Sequence, residues 1–130
     1  MLIKIVALIV GFFTFVIVVS IIQLIGGMVF SAPTAEMMAD PASMAEFVSK
    51  MPIGAFIMLL LGYAIGSFAS GFLMRTISKW DSLILPIVIS ALGMLGWILT
   101  IFAIPHPTWV TIVGFLCFVP FTILGHKTAR

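Results

Sequence analysis

The chain is nearly devoid of charge. Of its 130 residues 8% are Asp, Glu, Lys or Arg, while 63% are hydrophobic. A water-soluble domain of this size cannot bury so much apolar surface or cover its exterior with so few charges, so an aqueous fold is excluded and the surrounding medium is lipid. Cysteine is almost missing: Cys117 stands alone, which excludes an internal disulfide and a thiolate metal cluster and leaves a small packing residue. Asparagine is absent, and His106 and His126 do not stand at metal-ligand spacing. No acidic or basic side chain falls well inside a long apolar run, no nucleophile neighbours a base, and no glycine loop is built to cradle phosphate. An enzyme or pump in a bilayer displays such groups, so no catalytic residue, cofactor or metal site is expected, and no nucleic-acid partner.

What remains is hydrocarbon in four runs, 3–30, 53–74, 83–104 and 109–125. A spanning helix needs roughly 20 apolar residues and about 17 at the least, so the fourth run suffices narrowly and the excess of the first predicts tilt or protrusion. The first run also outlasts the roughly 7–15 apolar residues of a signal-peptide core, and no small-x-small site closes it. It reads as a retained helix. The expected fold class is an all-α integral membrane protein, a single domain over residues 1–130 with a four-helix transmembrane bundle.

The few charges orient that bundle. With four crossings, Lys4, Arg75, Lys79, Lys127 and Arg130 share one side, and the positive-inside rule makes it cytoplasmic, both termini included. Lys50 is the one base expected outside, among Glu36, Asp40 and Glu46. Trp80 on the inner side and Trp109 on the outer side are placed to anchor the bundle in the two headgroup layers.

The outer loop "SAPTAEMMADPASMAEFVSKMP" has structure of its own. Asp40 followed by Pro41 reads as a helix cap and first residue, and Met44, Phe47, Val48 and Met51 then recur at helical spacing. This predicts a short amphipathic helix over 41–51 lying in the interface, its apolar face toward the membrane. Thioethers favour Cu(I), but of Met37, Met38, Met44 and Met51 only the last two share a face, so copper is not expected.

Small residues concentrate in the second run. On a helix turning about 100° per residue, Gly62, Gly66 and Ser70 fall on one face and Ala64, Ser67 and Gly71 on the opposite one. Helices in lipid associate by close backbone approach, so a helix smooth on two sides should have neighbours on both and stand at the bundle's centre. The third run offers Pro86, Ser90, Gly93 and Trp97 as a stripe. Antiparallel crossing puts Ser90 and Gly93 at the depth of Gly62 and Gly66, which predicts that these pairs face each other. The same small residues would suit the wall of a pathway; frequent small-x-x-x-small spacing at helix contacts favours packing.

Two polar residues stand apart. Gln23 is the one strongly polar side chain at depth, and its amide is expected to be satisfied by a neighbouring helix. His106, between Pro105 and Pro107, cannot continue the third helix and must lie in the outer turn beside Trp109. It either closes that turn by hydrogen bonding or, with Gln23 and Glu36, senses external pH.

The succession "MPIGAFIMLLLGYAIGSFASGF", "IPHPTW" and "FVPFTILG" resembles a group of small bacterial membrane proteins with four predicted spans and no assigned activity. The resemblance implies a four-span architecture in a bacterial inner membrane. The role expected is a non-catalytic structural or accessory subunit, its partners the bilayer and other membrane proteins or itself. The alternative is an oligomeric passive channel or carrier for a small solute.

Overall fold

A computed structural model describes residues 1–30, 34–103 and 106–129. Among the described residues six helices follow one another: α1 (Leu2–Phe30), α2 (Ala35–Ala39), α3 (Pro41–Ser49), α4 (Ile53–Ser78), α5 (Ile84–Ala103) and α6 (Thr108–Thr128). Four of them, α1, α4, α5 and α6, are long and apolar enough to cross a membrane. The chain is a small all-α membrane protein built on a four-helix bundle.

Local chemistry sets the helix ends. Thr34 caps α2 by accepting from the Met37 amide, and Asp40 caps α3 through Oδ1 to the Ala42 amide, with Pro41 in the first helical position where its missing N–H costs nothing. At the far end of α4, Lys79 turns the chain in the left-handed region, φ 54°, its amide donating to the Arg75 carbonyl.

Inside the bundle α4 is the hub. One of its faces lies along α1 and another along α6, while α5 packs mainly on α6. Two apolar clusters fill the interior. Toward the α3 end it is made of Phe56, Leu60, Ala64, Trp97, Val110 and Phe118; toward the opposite end, of Ala7, Met74, Leu85 and Ile89. With hydrocarbon outside as well as inside, these rings and chains hold the helices by shape and dispersion rather than by escape from water.

The short helix α3 departs from the expected membrane-facing arrangement. Its apolar side turns inward: Val48 is buried, and Phe47 and Met51 pack on the cluster of Phe56, Leu60 and Trp97. That cluster offers this face rigid partners, which lipid cannot. Lys50 pairs with Glu46 at 2.8 Å on its exposed side. This pair lowers the Glu46 carboxyl pKa and raises that of the Lys50 ammonium, in both cases through their mutual hydrogen bond first and their opposite charges second.

Candidate functional site

The small residues of α4 are the features most able to form a site, and both of their faces are occupied within the chain. Gly62 receives Ile22 and Val19 of α1, and Gly66 receives Val19 and Phe15. Ser70, fully buried, donates from Oγ to the Gly11 carbonyl of α1 at 2.8 Å. On the other face a β-carbon at Gly71 would collide with the Thr122 carbonyl of α6, and one at Gly125 with the Phe68 carbonyl of α4. The two glycines therefore form a reciprocal contact, each presenting a Cα hydrogen to the other helix's backbone, as in the Cα–H···O=C contacts of close helix pairs. Ser67 is buried, and its Oγ has no hydrogen-bond partner among the described residues.

Ser90 and Gly93 do not face Gly62 and Gly66. Gly93 lies against the Phe118 ring of α6, and Ser90 Oγ donates to the Phe118 carbonyl at 3.4 Å, the same oxygen that accepts from Thr122 Oγ1 at 2.6 Å. The stripe expected on α5 exists, continued by Trp97, whose Nε1 donates to the Thr111 carbonyl at 3.2 Å and whose ring fills the space beside Gly114. Its partner is α6. Equal depth says nothing about direction around the helix axis, and with α1 filling one glycine face of α4 and α6 the other, α5 is left to pack on α6.

Gln23 also departs from expectation. It is exposed on the outward side of α1 and makes no hydrogen bond among the described residues, so no neighbouring helix of this chain satisfies its amide. The reason is its angle: the residues of α1 that meet α4 are Ala7, Gly11, Val19 and Gly26, and Gln23 falls off that stripe.

At the α3 end of the bundle His106 is half-buried, its ring tilted against Trp97 at 5.1 Å between centroids. With Val48, Met51, Phe56 and Trp109 it borders an open groove of about 390 Å³ between α3 and the start of α6. Trp109 is 42% exposed and meets Phe56 edge-on at 6.0 Å. Pro105 and Ile104, the remainder of that turn, lie outside the described residues.

Rings link the turn at His106 to the interior. Trp97 meets Tyr63 at 5.3 Å, Tyr63 meets Phe118 at 5.3 Å, and Phe118 meets Phe15 at 5.8 Å. Edge-to-face and tilted pairs of this kind add to plain area burial and leave the centre filled with aromatic carbon.

The opposite end holds a polar cluster that reading the sequence did not assemble. Lys4 Nζ lies over the Trp80 ring, 3.5 Å from its centroid. His126 is 1% exposed, with Nε2 3.1 Å from the Trp80 carbonyl, to which an N–H there donates. Arg75 Nη1 approaches Asp81 Oδ1 at 2.8 Å, an ion pair in which its hydrogens are not aimed at the oxygen. The beginning of α1, the α4–α5 connection and the end of α6 thus meet at Trp80.

No known family, curated protein or solved structure matches this chain. Among the described residues there is no group of three or more His, Cys, Asp or Glu side chains placed to hold a metal ion. Reading the sequence missed two partners in particular, Gly125 and Trp80. Thr122 and Gly125, small residues three apart on α6, were a usable signal for the first, whereas Gly114 meets Trp97 of α5. For the second, the placement of Lys4, Trp80 and His126 on one side of the membrane was the available hint.

Proposed function

We propose that this protein is a non-catalytic accessory subunit of a bacterial inner membrane, both termini cytoplasmic, which presents the outward sides of its helices to other membrane helices. The observation that carries this reading is how α4 uses its small residues. Gly62, Gly66 and Ser70 are taken up by α1, and Gly71 with Gly125 by the α4–α6 contact, so none of them lines a space along the bundle axis. Aromatic rings occupy the interior from Phe15 to Trp97. A conduit through one copy would require that packing to be undone, whereas an accessory role requires only a rigid bundle with unused outer faces.

Cysteine accessibility tests it. With Cys117 replaced by Ala, Ser67→Cys and Ser70→Cys should resist a water-soluble maleimide in intact membrane vesicles and react only after denaturation. Rapid labelling of either in the native state would make the α4 surface a wetted wall and replace the accessory reading by that of a pore. Native mass measurement after gentle extraction completes the test: a bare monomer as the only species would remove the accessory role.

A further inference from the structure

We propose that α1 carries a self-association face centred on Gln23, against which the same face of a second copy of this chain docks. The inference rests on the accessory reading and names its partner. Gln23 is the only carboxamide side chain in the sequence. It is exposed and makes no hydrogen bond among the described residues.

Its depth follows from the packing of α1 on α4. Gly26 lies against Met58 and Ile22 against Gly62, so Gln23 stands level with the stretch between those α4 residues. At about 1.5 Å per residue that is roughly 8 to 13 Å inward from the start of α4. An amide at that depth, facing outward, meets hydrocarbon, and a polar group there is stabilised by a hydrogen bond from another helix.

The surroundings permit that approach. Ser20, exposed, is three residues before Gln23, and Gly27, partly exposed, is four residues after it, so the three fall on one stripe with the amide in the middle. Bulky neighbours would hold a second helix away from a side chain as short as glutamine. Ser20 and Gly27 let it come close.

A second copy is the occupant that fits best, for two reasons. A carboxamide both donates and accepts, so two glutamines related by a two-fold axis complete each other: Nε2 of one donates to Oε1 of the other, and the reverse. A second copy inserted in the same orientation also brings its amide to the same depth by symmetry. A different protein would need a matching polar group at that level by coincidence.

Oxidative cross-linking in native membrane vesicles tests this. In a Cys117→Ala background, Ser20→Cys is treated with copper–phenanthroline beside Gly96→Cys on the outward side of α5, where a side chain meets nothing within 4 Å. The expected result is a covalent dimer through position 20, well above that through position 96. Adding Gln23→Leu removes both hydrogen bonds of the reciprocal pair and should lower the dimer yield under subsaturating conditions by at least about threefold to thirtyfold, the range for a single interhelical hydrogen bond. The Gln23→Leu protein should keep the thermal transition of the parent in detergent, because no contact within the chain is lost; a second variant, Gln23→Asn, should retain part of the cross-link. Equal yields at positions 20 and 96, or a yield unmoved by Gln23→Leu, would overturn the proposal. If cross-linking fails while native mass shows a complex with another membrane protein, self-association falls and the accessory reading stands. If both fail, both readings fall together.

Discussion

The reciprocal contact between Gly71 and Gly125 offers the sharpest test of how this bundle is held. Replacing Gly71 by Ala places a methyl group against the Thr122 carbonyl, a backbone atom of a packed helix that cannot rotate aside. For an ordinary contact α6 must retreat by about 1 Å, and a gap of that size forfeits roughly a quarter to a half of the attraction between the atoms that lined it. Overpacking of this kind costs about 1–3 kcal/mol and occasionally more. Against it stands the gain from a better helix former, about 1 kcal/mol at most.

Gly96→Ala supplies the control, since a β-carbon there meets nothing within 4 Å. It should be neutral or stabilising by up to about 1 kcal/mol. The helix-former gain is common to both alanine variants, so they should differ by the overpacking cost, roughly 1–3 kcal/mol, in reversible unfolding in mixed detergent and dodecyl sulfate micelles, followed by tryptophan fluorescence. Gly125→Ala should resemble Gly71→Ala. The double variant should cost less than the sum, because one retreat of α6 relieves both collisions and the sites are coupled. Equal stability of Gly71→Ala and Gly96→Ala would refute the claim that α4 and α6 touch backbone to backbone.

Other perturbations probe the remaining contacts. Ser70→Ala removes the hydroxyl that donates to the Gly11 carbonyl and should destabilise by about 0.6 kcal/mol, at most ~1.7, in the same unfolding assay. Lys4→Gln removes the cation over the half-buried Trp80 ring and should loosen the first turn of α1 by about 0.5–2 kcal/mol, seen as faster amide exchange there, and unchanged exchange would deny the pair its role. The Glu46–Lys50 pair should titrate outside the ordinary range in carbon-detected NMR: the Glu46 midpoint falls below 4.5 and the Lys50 midpoint above 10.5. Because the first is depressed and the second raised in the folded chain, the pair supports α3 between those values, fading as pH falls through the Glu46 midpoint or rises through that of Lys50. Lys50→Met should return Glu46 to its ordinary value.

Much of the architecture is legible in the residues because lipid imposes a simple demand. Every span must be a helix and must be apolar, so four runs gave four long helices, and Asp40 with Pro41 marked the start of α3 by local hydrogen bonding alone. The two smooth faces of α4 were legible for the same reason, since spacing along a helix fixes angle. What spacing does not fix is which neighbour occupies which face. The expected meeting of Ser90 and Gly93 with Gly62 and Gly66 failed on that point, and no helix of this chain takes up the amide of Gln23. The direction of α3's apolar side failed differently. Its periodicity is the same whether lipid or the bundle receives it, and only the presence of Phe56 and Trp97 beneath Val48 decides.

The two contacts of α4 differ in kind, and the difference bears on which helix can shift. Against α6 the approach is backbone to backbone at Gly71 and Gly125, a fit that tolerates no change of register because each carbonyl opposes one glycine. Against α1 it is side chain to glycine: Phe15, Val19 and Ile22 rest on Gly62 and Gly66, and Gly11 meets the flexible end of Met74. Side chains with alternative rotamers can follow a small movement, and beyond them α1 is tied to the bundle's polar network through Ser70 and through Lys4 on Trp80. The α4–α6 contact is thus set by backbone, the α4–α1 contact mainly by side chains and the Ser70 hydrogen bond. α1 is also the helix whose amide faces outward, so a second copy drawing on Gln23 would dock on the side of α1 away from the Gly71–Gly125 contact and leave that contact unchanged.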